Sequence, residues 1–532
     1  MGNLMKEEAQ SLPQYSIRTS IWARSLAARE KIVLAAGILV IVFLAIYHLT
    51  GFPLTWFDEG SHLHVPKTLV TYGVYADHSS EGFRYYGPTV GVGPTVFLPI
   101  AAAFKLFGVG LLQARSIIVL YLLASIFVFY RLGRKMGGVG LAMVATALLV
   151  TSRGISLLEY GREVLGEVPG FFFFIAGFWL WYASWKNPTW LRLVLTGLLF
   201  GLSMVTKNQN LLVLGPSLLL AWIANLAYYR LASQRVFLVP GIVAGAVFAI
   251  WNVYMALYLG PATVSQNIAS LRQAAQGAAL IFSPDLMRTA LSNLLGLNVF
   301  LGLLIPALIY GFIVSLPRTP EGQRWGNLFI LVAFNLVWYV IASISWLRYA
   351  FPALAISSLF MARFFSDLTN GFSIDLAGFW RSLKMKEMPS SSSILHIVFI
   401  SWLAVMIALP LAQTAKSIIN PPFNAPAAMA DYLNKNVPKD VVIETWEPEM
   451  GFLTNHNFHF PPPDLLNTAD SFIWMGKASP QQSYHYLETN SPAYVLVGAF
   501  STWVQLYPQD ILASRYHQVT DIGGYVLYAL NP

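Results

Sequence analysis

The chain has 532 residues, of which 56% are hydrophobic and 11% charged, with a formal charge of +8. A soluble domain carries about 25% charged residues, so the composition excludes an ordinary soluble protein and indicates a polytopic membrane protein. The basic residues are spread over short loops rather than gathered on one face, which argues against nucleic acid as a partner. The absence of Cys excludes disulfides and thiolate chemistry.

The segment before Ile32 carries Lys6, Arg18, Arg24, Arg29 and Lys31, and the positive-inside rule puts it in the cytoplasm. Ile32 to Thr50 is long enough to cross a bilayer, and no small-residue cleavage site follows it, so it reads as a permanent anchor. The loop 51–115 then lies outside. Within it Thr95 to Phe107 is apolar but short and interrupted by Lys105, which predicts an interfacial or re-entrant helix rather than a span. Ser116 to Phe129 crosses inward to Arg131, Arg134 and Lys135, and Leu141 to Thr151 goes out to the charged loop 152–169. Gly170 to Trp185 returns to Lys186, and Trp190 to Val205 exits at Lys207. Leu211 to Tyr229 returns to Arg230 and Arg235, and Val236 to Leu259 exits to a polar loop, 260–289. Leu291 to Leu316 returns to Arg318 and Arg324, and Leu328 to Ile344 exits at Arg348. Ala350 to Phe364 returns to Arg381, Lys384 and Lys386, and Ile394 to Leu411 makes the last exit. The length criterion thus gives about eleven spans within residues 1–420.

Pro421-Pro422 ends the membrane part. Ala425 to Asn436 reads as an amphipathic helix, and Asp440 to Trp446, Ala493 to Gly498 and Gly524 to Ala529 read as strands. Residues 421–532 are enough for a small α/β domain, and the count of spans puts it outside.

The residues with chemical capacity gather on the outer side. Asp58 and Glu59 sit at the mouth of the first span, where an ionised carboxylate can take a proton from a hydroxyl or simply solvate the span end. Glu59, His62 and His64 are together the candidate ligands for a divalent cation, against the plainer reading of polar loop residues. Glu163 and Glu167, four apart, share one face if they lie on a helix, and a cation, Arg162 or acceptor hydroxyls would offset their repulsion. Lys207 and Arg348, the latter followed by Tyr349, end on the outer side against the orientation rule. A point charge and a planar fork are the usual phosphate partners. Snorkelling to lipid headgroups accounts for either one alone, but less well for both beside the acids.

Five pieces in order carry a resemblance: Phe57-Asp58-Glu59 after the first span; Tyr86-Gly-Pro88 to Pro94 opening a helix that ends Leu106-Phe107-Gly108; the loop from Arg162 to Pro169; Thr206-Lys207; and Arg348-Tyr349-Ala-Phe-Pro352. Together they resemble the GT-C fold glycosyltransferases, in the branch of protein O-mannosyltransferases and aminoarabinose transferases, over roughly Ile32 to Phe365. The resemblance implies an all-α membrane domain with an exported α/β domain and a polyprenyl-phosphate-linked sugar as donor. It implies transfer with inversion to a glycan, lipid or protein acceptor on the outer face of a bacterial or archaeal plasma membrane. Asp58 would then be the base or the acid that positions the acceptor, with Glu59 beside it. Lys207 and Arg348 would hold the donor phosphate with Tyr349 nearby, and Glu163 or Glu167 would be the second-loop acid. The spaced Gly-Pro88 and Gly-Pro94 depart from the family's proline pair. The competing reading is a transporter or flippase of a lipid-linked anion, which also uses intramembrane charges. Such proteins often show repeated halves, and none is visible here.

Overall fold

The computed structural model describes residues 18–85, 91–275, 279–373, 380, 384–385 and 390–532. The Tyr86 to Pro88 piece of the resemblance, Lys6, Arg381 and Lys386 lie outside the described residues. Among the described residues helix α1 (Arg18–Ile46) forms one unit, and residues from Tyr47 onward form a second.

The second unit begins with α2 (Phe57–Tyr72), a two-stranded hairpin β1 (Asp77–Ser79) and β2 (Gly82–Arg84), and α3 (Pro94–Phe107). At 14 residues α3 is too short to cross a bilayer, in keeping with the interfacial or re-entrant reading. The next helix, α4 (Leu111–Thr151), is nominally 41 residues, about 60 Å at 1.5 Å per residue, twice a bilayer core. It is in fact a hairpin. Gly137 and Gly138 leave helical geometry, Gly138 at φ +80°, and a Cβ at Gly133 would stand 3.1 Å from the Cα of Ala142. Residues nine apart on a straight helix would be about 13 Å apart. The two arms correspond to the runs Ser116 to Phe129 and Leu141 to Thr151 expected on either side of Arg131 and Lys135.

There follow α5 (Glu167–Ser184), α6 (Trp190–Thr206), α7 (Gln209–Ala224) and α8 (Arg235–Leu259). The single span expected from Leu291 to Leu316 is broken into α10 (Pro284–Leu295) and α11 (Leu304–Ser315). Between them Gly302 has φ +79° and Phe300 and Leu301 also take positive φ, which no continuous helix allows. The polar loop expected at 260–289 holds α9 (Pro261–Ala274). The membrane part closes with α12 (Pro320–Ala342), α13 (Phe351–Leu368) and α14 (Ser391–Ile419). Six described helices are long and apolar enough to cross a membrane, and Pro94–Phe107, Trp190–Thr206 and Leu304–Ser315 are shorter apolar helices of the same unit.

The C-terminal part opens with α15 (Ala425–Asn436), as expected. Its sheet has five strands in the order β4-β3-β5-β7-β6, comprising β3 (Val442–Thr445), β4 (Asn457–His459), β5 (Tyr494–Val497), β6 (Tyr516–Ile522) and β7 (Tyr525–Leu530). β3 pairs parallel with both β4 and β5, and β7 runs antiparallel to β5 and β6. The strands β4 and β6 were not anticipated, because β4 is three residues long and β6 is largely exposed, so neither shows a buried alternation. Two further helices, α16 (Pro448–Leu453) and α17 (Leu465–Met475), face the membrane part. Gly60 of α2 lies directly on α16: a Cβ there would meet the Glu449 backbone nitrogen at 2.2 Å. Lys67, two turns on, donates to the carbonyls of Gly451 and Thr454 at 2.8 Å and so caps the C-terminal end of α16.

Candidate active site

Asp58 lies in the first turn of α2 and Glu167 is the first residue of α5. Lys207 joins α6 to α7, and Arg348 lies in a 3-10 turn (Leu347–Ala350) that leads into α13. Four separate stretches of chain therefore bring their ends to one place. Glycines permit the approach of Lys207 to α5, since a Cβ at Gly166 would stand 2.8 Å from the Lys207 Cδ and one at Gly170 would stand 2.6 Å from the Asn210 amide.

Glu167 is the hub. It accepts from Lys207 Nζ at 2.9 Å, from Arg348 Nε at 2.6 Å and from Arg348 Nη2 at 3.1 Å. The other side of the guanidinium, Nη1, reaches Asp58 Oδ2 at 2.5 Å. Glu167 and Arg348 are almost sealed, with side chains 3% and 5% exposed, whereas Asp58 keeps 28%. Burial pushes the Lys207 ammonium down from its ordinary range, and the Glu167 charge opposes that. Trp346 lies 5.1 Å from the Arg348 guanidinium carbon and Tyr160 lies 5.9 Å away, so the cation is also held between rings. Beside the cluster a narrow cleft is lined by Phe171, Phe174, Phe351 and Pro352 as well as Lys207, Arg348, Glu167 and Asn210. It is apolar along its walls and cationic at one end.

The expected site residues divide. Asp58, Glu167, Lys207 and Arg348 meet. Tyr349 sits beside them, packed with Trp346 and Trp474 in a small apolar cluster. Glu59 does not join them. Consecutive helix positions point about 100° apart, and Glu59 faces inward, taking both Nε (2.8 Å) and Nη2 (2.5 Å) of the fully buried Arg115 and the Val164 N–H at 3.0 Å. Arg162 is also turned away: its guanidinium donates to the carbonyls of Tyr47 and Phe52 and ties down the loop after the first helix. The shared helical face expected of Glu163 and Glu167 does not exist, because α5 begins at Glu167 and residues 161–166 form a turn. Glu163 accepts instead from Trp56 Nε1 at 2.7 Å. Burial, with Glu59 nearby, pushes its carboxyl up to about 8, so it holds a proton at neutral pH.

The three candidate metal ligands are also turned apart. His62 donates from Nδ1 to the Val164 carbonyl at 2.8 Å, and burial pushes its imidazole down to about 4. His64 is held between Asp77 (2.6 Å) and the Pro448 carbonyl (2.7 Å). Glu59 is spent on Arg115. The three side chains point to three different partners, and among the described residues no group of three His, Cys, Asp or Glu converges. The sequence reading missed Trp56, Tyr160, Trp346, Trp474 and Asp470. The first three stand next to charged residues that were singled out; nothing in the sequence marks the last two.

This architecture is the GT-C glycosyltransferase fold in an integral membrane protein. The sequence profile of the family described as dolichyl-phosphate-mannose-protein mannosyltransferase matches residues 91–255. No curated protein matches the chain in sequence. Among solved structures it is similar to ArnT from Cupriavidus metallidurans bound to undecaprenyl phosphate, with TM-score 0.60 and 13% identity over 94% of this chain and 98% of that one. The same protein in the apo state gives TM-score 0.63 and 13% identity over 95% and 100%. The archaeal oligosaccharyltransferase AglB from Archaeoglobus fulgidus, in complex with an inhibitory peptide and a dolichol-phosphate, gives TM-score 0.55 and 14% identity over 94% of this chain and 74% of that one.

Proposed function

We propose that the protein is an inverting glycosyltransferase that moves a monosaccharide from a polyprenyl-phosphate donor to an acceptor hydroxyl on the extracytoplasmic face. The observation that carries this reading is the meeting of Asp58 with Lys207 and Arg348 at the cationic end of an apolar cleft. Phe171, Phe174 and Phe351 suit a prenyl chain, and Lys207 and Arg348 suit its phosphate. Glu167 uses one of the three ammonium donors of Lys207. The donor phosphate therefore finds spare N–H groups without displacing Glu167, which keeps both cations aimed and compensated.

In the reaction Asp58 accepts the proton of the acceptor hydroxyl. The acceptor oxygen forms its bond to the anomeric carbon as the bond from that carbon to the phosphate oxygen breaks, and the configuration inverts. The polyprenyl phosphate leaves with the electron pair, and its growing charge is stabilised by Lys207 and Arg348. Asp58 then returns its proton to water. The similar structures bound to undecaprenyl phosphate and to dolichol-phosphate support a lipid-phosphate donor.

The orientation is read from the helix ends. α5 rises about 27 Å and α6 about 25 Å from one end to the other. Glu167 and Lys207 lie at one end; at the other Lys186, Arg192 and Arg324 lie within electrostatic reach of Lys135. The positive-inside rule makes the second end cytoplasmic. The test is transfer by the purified full-length protein in proteoliposomes given lipid-phosphate-linked sugars. Transfer lost in Lys207→Ala and Arg348→Ala, with undecaprenyl phosphate binding weakened at least tenfold, is expected. Movement of the intact lipid across the bilayer without sugar transfer would establish the transporter reading instead.

A further inference from the structure

Helix α17 (Leu465–Met475) belongs to the C-terminal α/β part, yet one of its faces stands at the ion cluster. Trp474 stacks on Trp346, with ring centroids 5.8 Å apart and planes 27° from parallel. Trp346 in turn lies over the Arg348 guanidinium and meets Trp56 edge-on at 6.4 Å. Asp470, four residues before Trp474, shares its side of the helix. It is half-buried and makes no hydrogen bond or ion pair among the described residues. Glu59 and Glu167 are sealed and paired; Asp470 keeps a partly exposed carboxylate, open to a ligand hydroxyl. Burial, then the nearby charge of Asp58, pushes its carboxyl up to about 7.

We propose that α17 builds the acceptor subsite: Trp474, backed by Trp346, takes the flat face of a neutral carbohydrate acceptor, and Asp470 accepts a hydrogen bond from a hydroxyl neighbouring the one that Asp58 deprotonates. This rests on the transferase reading above and names its substrate class. Indole faces offer broad apolar area to the C–H face of a sugar ring at little conformational cost. A carboxylate beside them binds hydroxyls and repels phosphate or carboxylate groups. The two sides of the cluster thus sort their ligands by charge, with the anionic donor on the lysine and arginine and an uncharged polyol on the aspartates.

The experiment uses the full-length protein in proteoliposomes, with lipid and cell-envelope extracts of source cells lacking the gene as donor and acceptor pools. The product is identified by the mass gain of one sugar. Wild type is expected to modify a neutral carbohydrate component. Asp470→Asn and Trp474→Ala are expected to raise the amount of envelope extract needed for half-maximal rate at least fivefold. Trp474→Phe keeps most of the wild-type value, and undecaprenyl phosphate binding stays within twofold in all three. A protein or anionic product overturns the proposal. So does an unchanged half-saturation in the variants, or a loss of undecaprenyl phosphate binding in step with it. A wild type that transfers sugar to nothing overturns the transferase reading itself, and this proposal with it.

Discussion

Asp58 and Glu59 are chemically alike and adjacent, and their partners separate them. Asp58 retains solvent access and one arginine contact; Glu59 is sealed against Arg115. Asp58→Asn keeps the shape and a hydrogen-bonding oxygen but cannot take a proton at neutral pH. Transfer should fall by a factor of about 10² to 10⁴, the usual contribution of a positioned base, while binding of undecaprenyl phosphate stays close to wild type. A variant with full transfer would remove Asp58 from the chemistry. Glu163 gives a second check. Its folded carboxyl is raised from 4.5 to about 8, so between those values the native state holds a proton that the unfolded chain has lost. Stability must therefore fall as pH rises through that window. The unfolding midpoint of the detergent-solubilised protein should decline from pH 5 to pH 8, and Glu163→Gln should flatten the decline. Parallel curves for the two proteins would mean that Glu163 is ionised throughout.

At the scale of elements, α2 is placed by its contact with α16. Gly60 allows that contact, and Gly60→Ala would drive a Cβ into the Glu449 backbone. Backbone cannot rotate aside as a side chain does, so the helices must part, at a cost of about 1–3 kcal/mol. Asp58, two residues away, moves with α2. The expected result is a lower unfolding midpoint together with reduced transfer, and an unperturbed midpoint would show that the helices do not touch at Gly60. The same contact explains what could be read from the sequence. Charged residues at the ends of apolar runs marked Asp58, Glu167, Lys207 and Arg348, since lipid leaves few other reasons for charges there. The sequence could not say which acid of each pair faces the cluster. That depends on Arg115, which comes from the beginning of α4, and on a helix that starts at Glu167 rather than before Glu163. α16 and α17 were unreadable as site elements because their role is set by what they rest on. The break between α10 and α11 was hidden inside an apolar run whose hydropathy does not change.

At the scale of the molecule, the charges are divided between the ends of the same helices. Lys186 follows α5 at the basic end, while the C-terminal sheet meets α2 at the end that holds the ion cluster. If the positive-inside rule governs this chain, Lys186 faces the cytoplasm and exposed residues of the C-terminal part face outward. The chain has no Cys, so single cysteines can be introduced without altering the background. Lys186 and Asp440 are both exposed. In intact cells a membrane-impermeant maleimide should label Asp440→Cys and spare Lys186→Cys, and after lysis it should label both. The reverse pattern would put Asp58, Lys207 and Arg348 in the cytoplasm. Label on both in intact cells would mean that α5 and α6 do not separate two compartments, and the cleft of phenylalanines would then need an occupant other than a prenyl chain.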